Sequence, residues 1–117
     1  MFKLHLLECK HLSVHGDYTE FLKNITHLLI GGEPFPSSLL ENLRQISKAK
    51  IYNMYGPTET AVWSTIQDLT NEENITIGKP IINTQCYVLD KNHKPLPYGV
   101  IGDLFISGDG VSKRLFK

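Results

Sequence analysis

Apolar and polar positions recur with two different periods along this chain, and the change of period marks its elements. Thr26-His-Leu-Leu-Ile30 is a short apolar run that stops at Gly31-Gly32. That is the pattern of a buried strand ending in a tight turn. Leu39, Leu40, Leu43 and Ile46 then recur at helical spacing and predict a helix with one apolar face. Pro36 precedes that helix, and Ser38 followed by Glu41 has the form of a capping box. Lys48 and Lys50 fall near its far end, where cations suit the helix dipole. Lys50-Ile-Tyr-Asn-Met54 reads as a second strand, broken by Gly56-Pro57. A helix between two strands implies a crossover and parallel pairing.

The flanks carry weaker patterns. Phe2, Leu4, Leu6 and Leu7 have the apolar content of a strand, and His11 to Gly16 reads as a loop. Tyr18 to Asn24 reads as a short helix with Asp17 as its N-cap. Val62 to Leu69, Gln85 to Asp90 and Asp103 to Ser107 read as strands, with Lys91 to Pro97 as turn and loop. Gly99, Gly102, Gly108 and Gly110 punctuate this part, and strands joined by short turns predict antiparallel hairpins. The expected fold class is α/β. A strand-helix-strand piece of a parallel sheet occupies about residues 1–70, and a mostly antiparallel β segment occupies about residues 71–117.

Composition narrows the function classes. A chain of 117 residues is one domain's worth of sequence. Hydrophobic residues make up 41% and the formal net charge is zero, which excludes disorder as the main state. The same balance argues against a nucleic-acid partner, which calls for a basic excess. No apolar run reaches membrane-spanning length. Cys9 and Cys86 are too few for a disulfide framework. The first eight residues carry charge inside their apolar stretch and no small-residue cleavage site, so they do not read as a signal peptide. A reducing, cytoplasmic location is the expectation.

Two segments hold candidate chemistry. In Leu29-Ile-Gly-Gly-Glu-Pro34, two glycines directly after a strand let a ligand approach the backbone, and α/β folds bind ligands at such strand ends. The plainer reading is a tight strand exit. Asn53-Met-Tyr-Gly-Pro-Thr-Glu59 gathers an amide, a phenol, a hydroxyl and a carboxylate around a Gly-Pro turn. The amide can read a base edge, the ring can stack on it, and the carboxylate can hold Mg²⁺ beside phosphate oxygens. Its plainer reading is a turn in which Thr58 caps the next segment and Glu59 is solvated. Gly78-Lys79-Pro80 is not a phosphate-cradling loop. His5, Cys9, His11 and His15 lie close in sequence but match no standard zinc spacing. His27 and His93 read as surface or turn residues, and Cys86 as a buried thiol.

Tyr55-Gly-Pro-Thr-Glu59 resembles the central signature of adenylate-forming enzymes, the superfamily of acyl-CoA synthetases, luciferases and peptide-synthetase adenylation domains. With its flanks, Asn53 to Thr60 is most similar to the amino-acid-activating domains of nonribosomal peptide synthetases. Gly31-Gly-Glu-Pro34, Ile77-Gly-Lys-Pro-Ile81 and Gly102-Asp-Leu-Phe-Ile-Ser-Gly108 with Gly110-Val111 resemble further segments of that family, in order and spacing. The likeness covers about residues 26–112. Asp103 stands where the family usually has Glu, and Ser112-Lys-Arg-Leu-Phe116 replaces its usual Ala-Arg-Gly-Tyr ending. The chain has no Ser/Thr/Gly-rich phosphate loop, no Tyr-x-Thr-Gly-Asp segment, and no hinge or lid with the catalytic lysine. The resemblance therefore implies an internal fragment of the large N-terminal subdomain, inactive alone.

The resemblance also implies roles for individual residues. Gly32, Glu33 and Pro34 line the adenine slot of ATP or AMP. Asn53 meets the adenine amino group, and Tyr55, beside Gly56, stacks on the ring. Thr58 contacts the α-phosphate and Glu59 binds Mg²⁺, making Thr58 and Glu59 the catalytic pair. The amino-acid side-chain pocket is lined by Leu29, Gly31, Met54, Val62 and Trp63, all without charge. Bulky Met54 and Trp63 imply a small substrate, with glycine first. The partner thiol is the phosphopantetheine arm of a peptidyl carrier domain. Strands taken from the middle of a larger sheet also imply self-association of the fragment. Two alternatives stay open: a non-catalytic nucleotide-binding or interaction module, and a fragment of an acyl-CoA or D-alanyl carrier ligase.

Overall fold

The computed structural model describes residues 2–5, 18–57, 60 and 63–111, with residues 2–5, 18 and 19 described by backbone alone. Five strands form the first sheet: β1 (Phe2–His5), β2 (His27–Gly31), β3 (Lys50–Tyr55), β4 (Thr65–Asp68) and β5 (Lys79–Pro80), adjacent in that order. β1, β2 and β3 pair in parallel, while β4 and β5 run antiparallel to their neighbours. Helix α1 (Tyr18–Lys23) lies between β1 and β2, and α2 (Ser37–Ile46) between β2 and β3. β6 (Thr84–Leu89) and β7 (Asp103–Gly108) form a separate antiparallel pair. The parallel strand-helix-strand piece and the antiparallel hairpin are both present as the sequence pattern predicts.

Alternation along β2 and β3 decides which face is buried. Leu28 pairs in register with Ile51 and Ile30 with Asn53, so these four share one face of the sheet. Leu39, Leu40 and Leu43 of α2 cover that face, and Leu22, Ile25, Phe35, Ala49 and Leu69 complete the core. Burying each large aliphatic side chain contributes about 1.5–3 kcal/mol, so this layer dominates the stability of the α/β part. Asn53 is the polar member of the buried face and needs a hydrogen-bond partner there.

Several sequence expectations need correction. The capping box does not form. Pro36 is the N-cap at φ −75° and ψ 139°, and no side chain caps the helix. Pro36's fixed φ sets the start two residues earlier than Ser38 would, and its carbonyl accepts from Leu39 and Leu40 N–H. Ser38 and Glu41 therefore lie inside the helix. Lys48 and Lys50 fall beyond its end, and Arg44 is the cation of the last turn. β4 is shorter than expected because Trp63 and Ser64 precede the strand and Leu69 leaves it to enter the core. Two-residue β5 was not expected, and it carries the first sheet past residue 70. His27 sits in β2 rather than in a turn, stacked on Tyr52 at 6.1 Å between ring centroids. Cys86 is half-buried, and that partial burial pushes its thiol pKa up. Asp17, the 11–16 loop, and the side chains of His5, Cys9, His11 and His15 lie outside the described residues.

His93 does occupy a turn, at φ 59°. Asp90 Oδ1 accepts from Asn92 and Lys94 N–H, holding the loop that leaves β6.

Candidate functional site

The C-terminal ends of β2 and β3 lie side by side because the two strands are parallel and in register up to Gly31 and Met54. The chain bends at Gly32 and Glu33 as it leaves β2, and this segment and the one that follows β3 border a cleft. Its volume is about 440 Å³, and it is lined by Gly32, Glu33, Pro34, Phe35, Asn53, Met54, Tyr55, Gly56, Pro57 and Ile77. Gly32 adopts φ 101°, a conformation that a side chain disfavours, which lets the chain turn sharply at the rim. On the other rim, Thr60 N–H and Oγ1 both donate to the Pro57 carbonyl, at 3.0 and 2.9 Å.

The fold thus brings together Gly32, Glu33, Pro34, Asn53, Tyr55 and Gly56, which are far apart in sequence. Met54, expected in a side-chain pocket, lines this same cleft. Leu29 and Gly31 do not line it; alternation puts them on the opposite face of β2 from Leu28 and Ile30. Trp63 packs against Gly31 there. Thr58, Glu59 and Val62 lie outside the described residues. Sequence reading missed Phe35, Pro57 and Ile77 as cleft walls. Phe35 had a signal, being apolar and directly after the expected slot. Ile77 stood in the family-like segment Ile77–Ile81, but nothing in its local pattern placed it at the cleft.

Asn53 is buried, and its Nδ2 donates to the Thr76 carbonyl at 2.6 Å. The segment that supplies this carbonyl is itself fastened to β4. Thr76 N–H donates to Gln67 Oε1 at 2.6 Å, Gln67 Nε2 donates to the Asn74 carbonyl at 2.8 Å, and Thr65 Oγ1 donates to the Ile77 carbonyl at 2.5 Å. Gly78 follows at φ 78°, and a Cβ there would collide with the Ile66 backbone. Only glycine lets this segment lie so close to the sheet.

The cleft offers an amide, an aromatic ring, backbone groups and apolar walls, a set suited to a flat heteroaromatic ligand. Among the described residues, no cationic side chain lines it.

A family model described as AMP-binding enzyme matches residues 1–116. The chain is 46% identical over 93 residues to a dimodular nonribosomal peptide synthase of Bacillus subtilis, covering 76% of this chain and 4% of that protein. It is 38% identical over 109 residues to bacitracin synthase 3 of Bacillus licheniformis, covering 88% of this chain and 2% of that protein. Among solved structures, a four-domain nonribosomal peptide synthetase bound to AMP and glycine matches with a TM-score of 0.81 and 37% identity, covering 95% of this chain and 8% of that one. The N-terminal subdomain of Klebsiella oxytoca NpsA, in complex with 3-hydroxyanthranilyl-AMSN, matches with a TM-score of 0.79 and 26% identity, covering 95% and 28%. The chain spans a small fraction of the length of each of these relatives.

Proposed function

The chain belongs to the AMP-binding enzyme family, and from that premise we propose that it is part of an amino-acid adenylation domain of a nonribosomal peptide synthetase. The complete domain would join an amino-acid carboxylate to the α-phosphate of ATP, release pyrophosphate, and pass the aminoacyl group to a carrier-domain phosphopantetheine thiol. The observation that carries this reading is the cleft at the ends of β2 and β3, where Gly32–Pro34 and Asn53–Gly56 face one another. Its chemistry fits adenine. Asn53 supplies an amide at the buried end, Tyr55 supplies a ring for stacking, and Pro34 and Ile77 supply apolar walls.

In this reading Gly32, Glu33 and Pro34 flank the base, largely through backbone. Thr58 would hold the α-phosphate and Glu59 a Mg²⁺ ion. Mg²⁺ would supply charge neutralisation of the phosphates. The attacking carboxylate is already ionised at neutral pH, so no general base is assigned. Leu29, Gly31, Met54, Val62 and Trp63 would line a small amino-acid pocket, with glycine or a similarly small substrate preferred. The cytoplasm is the proposed location.

Two experiments test the reading. Full-length enzyme carrying this segment is expected to show amino-acid-dependent ATP–pyrophosphate exchange, and its absence with every proteinogenic amino acid would refute the assignment. The 117-residue chain is expected to give no heat in a calorimetric titration with ATP and Mg²⁺. Low-micromolar affinity would instead favour a free-standing nucleotide-binding module.

A further inference from the structure

Hydrogen-bond partners fix the orientation of two side-chain amides beside the cleft. The Thr76 carbonyl can only accept, so the group of Asn53 that faces it is the NH₂. The Asn53 oxygen is therefore the end left over, and no other described group takes it. Gln67 is fixed in the same way. Thr76 N–H can only donate and the Asn74 carbonyl can only accept, so Oε1 meets the first and Nε2 the second. Gln67 thus bridges two points of the 74–76 segment and holds it against β4. Thr65 and Gly78 fasten the next residues.

We propose that Gln67 is a positioning residue for base selection: by holding the Thr76 carbonyl against Asn53, it keeps the Asn53 oxygen aimed at the cleft as an acceptor. This rests on the cleft being the adenine site. A 6-amino purine offers an N–H to that oxygen, whereas a 6-oxo purine offers a second acceptor, and the two lone pairs oppose each other. Loosening the 74–76 segment frees the Asn53 amide to rotate, present its NH₂, and accept the 6-oxo base. Gln67 does not line the cleft and acts only through Thr76 and Asn53.

The test compares ATP with inosine triphosphate, which differs at the purine 6-position, in pyrophosphate exchange by the full-length enzyme. Wild type is expected to prefer ATP. Gln67→Leu should reduce that preference about tenfold, the worth of one hydrogen bond. Gln67→Glu, which keeps the acceptor for Thr76 N–H, should retain most of it. Amide hydrogen exchange over residues 74–78 of the same proteins reads the clamp separately, with faster exchange expected in Gln67→Leu. An unchanged ATP-to-ITP ratio in Gln67→Leu, or unchanged hydrogen exchange, overturns the proposal. Absence of exchange activity in wild type refutes the adenylation reading instead, and hydrogen exchange then decides the clamp alone.

Discussion

The indole of Trp63 lies against the Cα of Gly31: a Cβ added to that glycine would sit 2.5 Å from Trp63 Cζ3 and would strike the Met54 carbonyl oxygen as well. Space, rather than backbone conformation, requires glycine at this strand end. Gly31→Ala is therefore expected to destabilise the fold by about 1–3 kcal/mol through overpacking. Urea unfolding measures it. Trp63→Ala removes one of the two obstacles, so the double mutant should recover more than about 0.5 kcal/mol relative to additivity.

The same contact bears on substrate size. If the proposed pocket is correct, Trp63 fills it from the Gly31 side. In the full-length enzyme, Trp63→Ala should shift exchange activity from glycine toward larger side chains. A panel of amino acids checks this, and a phenylalanine optimum in wild type would contradict the assignment of a small pocket.

Arg44 ties the end of α2 to the loop after β4. Its guanidinium donates to the Leu69 carbonyl at 2.6 Å and to the Glu72 carbonyl at 2.5 Å. Arg44→Met keeps the aliphatic stem but leaves both carbonyls without their charged donor. A loss of about 2 kcal/mol is expected in chemical denaturation. Arg44→Lys should recover only part of it, since the shorter lysine stem does not carry its ammonium as far as Nη2, the atom that donates to both carbonyls.

Asp68 gives the fold an acid-sensitive point. A hydrogen bond from the Thr70 hydroxyl, and then one from Thr70 N–H, hold its carboxyl below the usual carboxylate range; nearby Lys50 adds to this. A lowered folded-state pKa means that the folded state prefers the carboxylate. The resulting stability is present above the unfolded-state value and is lost as pH falls through the folded one, below about pH 4. Thermal melts of wild type should therefore fall in that window more steeply than those of Asp68→Asn.

The β6–β7 hairpin leaves apolar side chains uncovered. Ile82, Tyr98 and Ile101 are 89%, 107% and 98% exposed, and Tyr87, Val88, Leu104 and Phe105 are partly so. A patch of this kind favours association. The 117-residue chain should therefore sediment as more than a monomer at micromolar concentration. Charged substitutions at Ile82 and Ile101 should restore the monomer.

Local pattern alone determined the elements that begin and end on strong signals. Leu28, Leu29 and Ile30 stopped by two glycines made β2, and Leu39, Leu40, Leu43 and Ile46 made α2, because period and chain breakers act within a few residues. Parallel pairing of β2 with β3 followed from the helix between them. The strand-end segments 31–34 and 53–57 were likewise legible as candidate site pieces, since glycine and proline announce turns wherever they fall. Tertiary structure alone decided the rest. β5 exists because Gly78 can lie against the Ile66 backbone, a contact between segments a dozen residues apart. Ile77 entered the cleft wall, Gln67 reached Thr76, and Trp63 found Gly31 for the same reason. Such contacts depend on how sheet and loops close in space, and no local period along the chain encodes that distance.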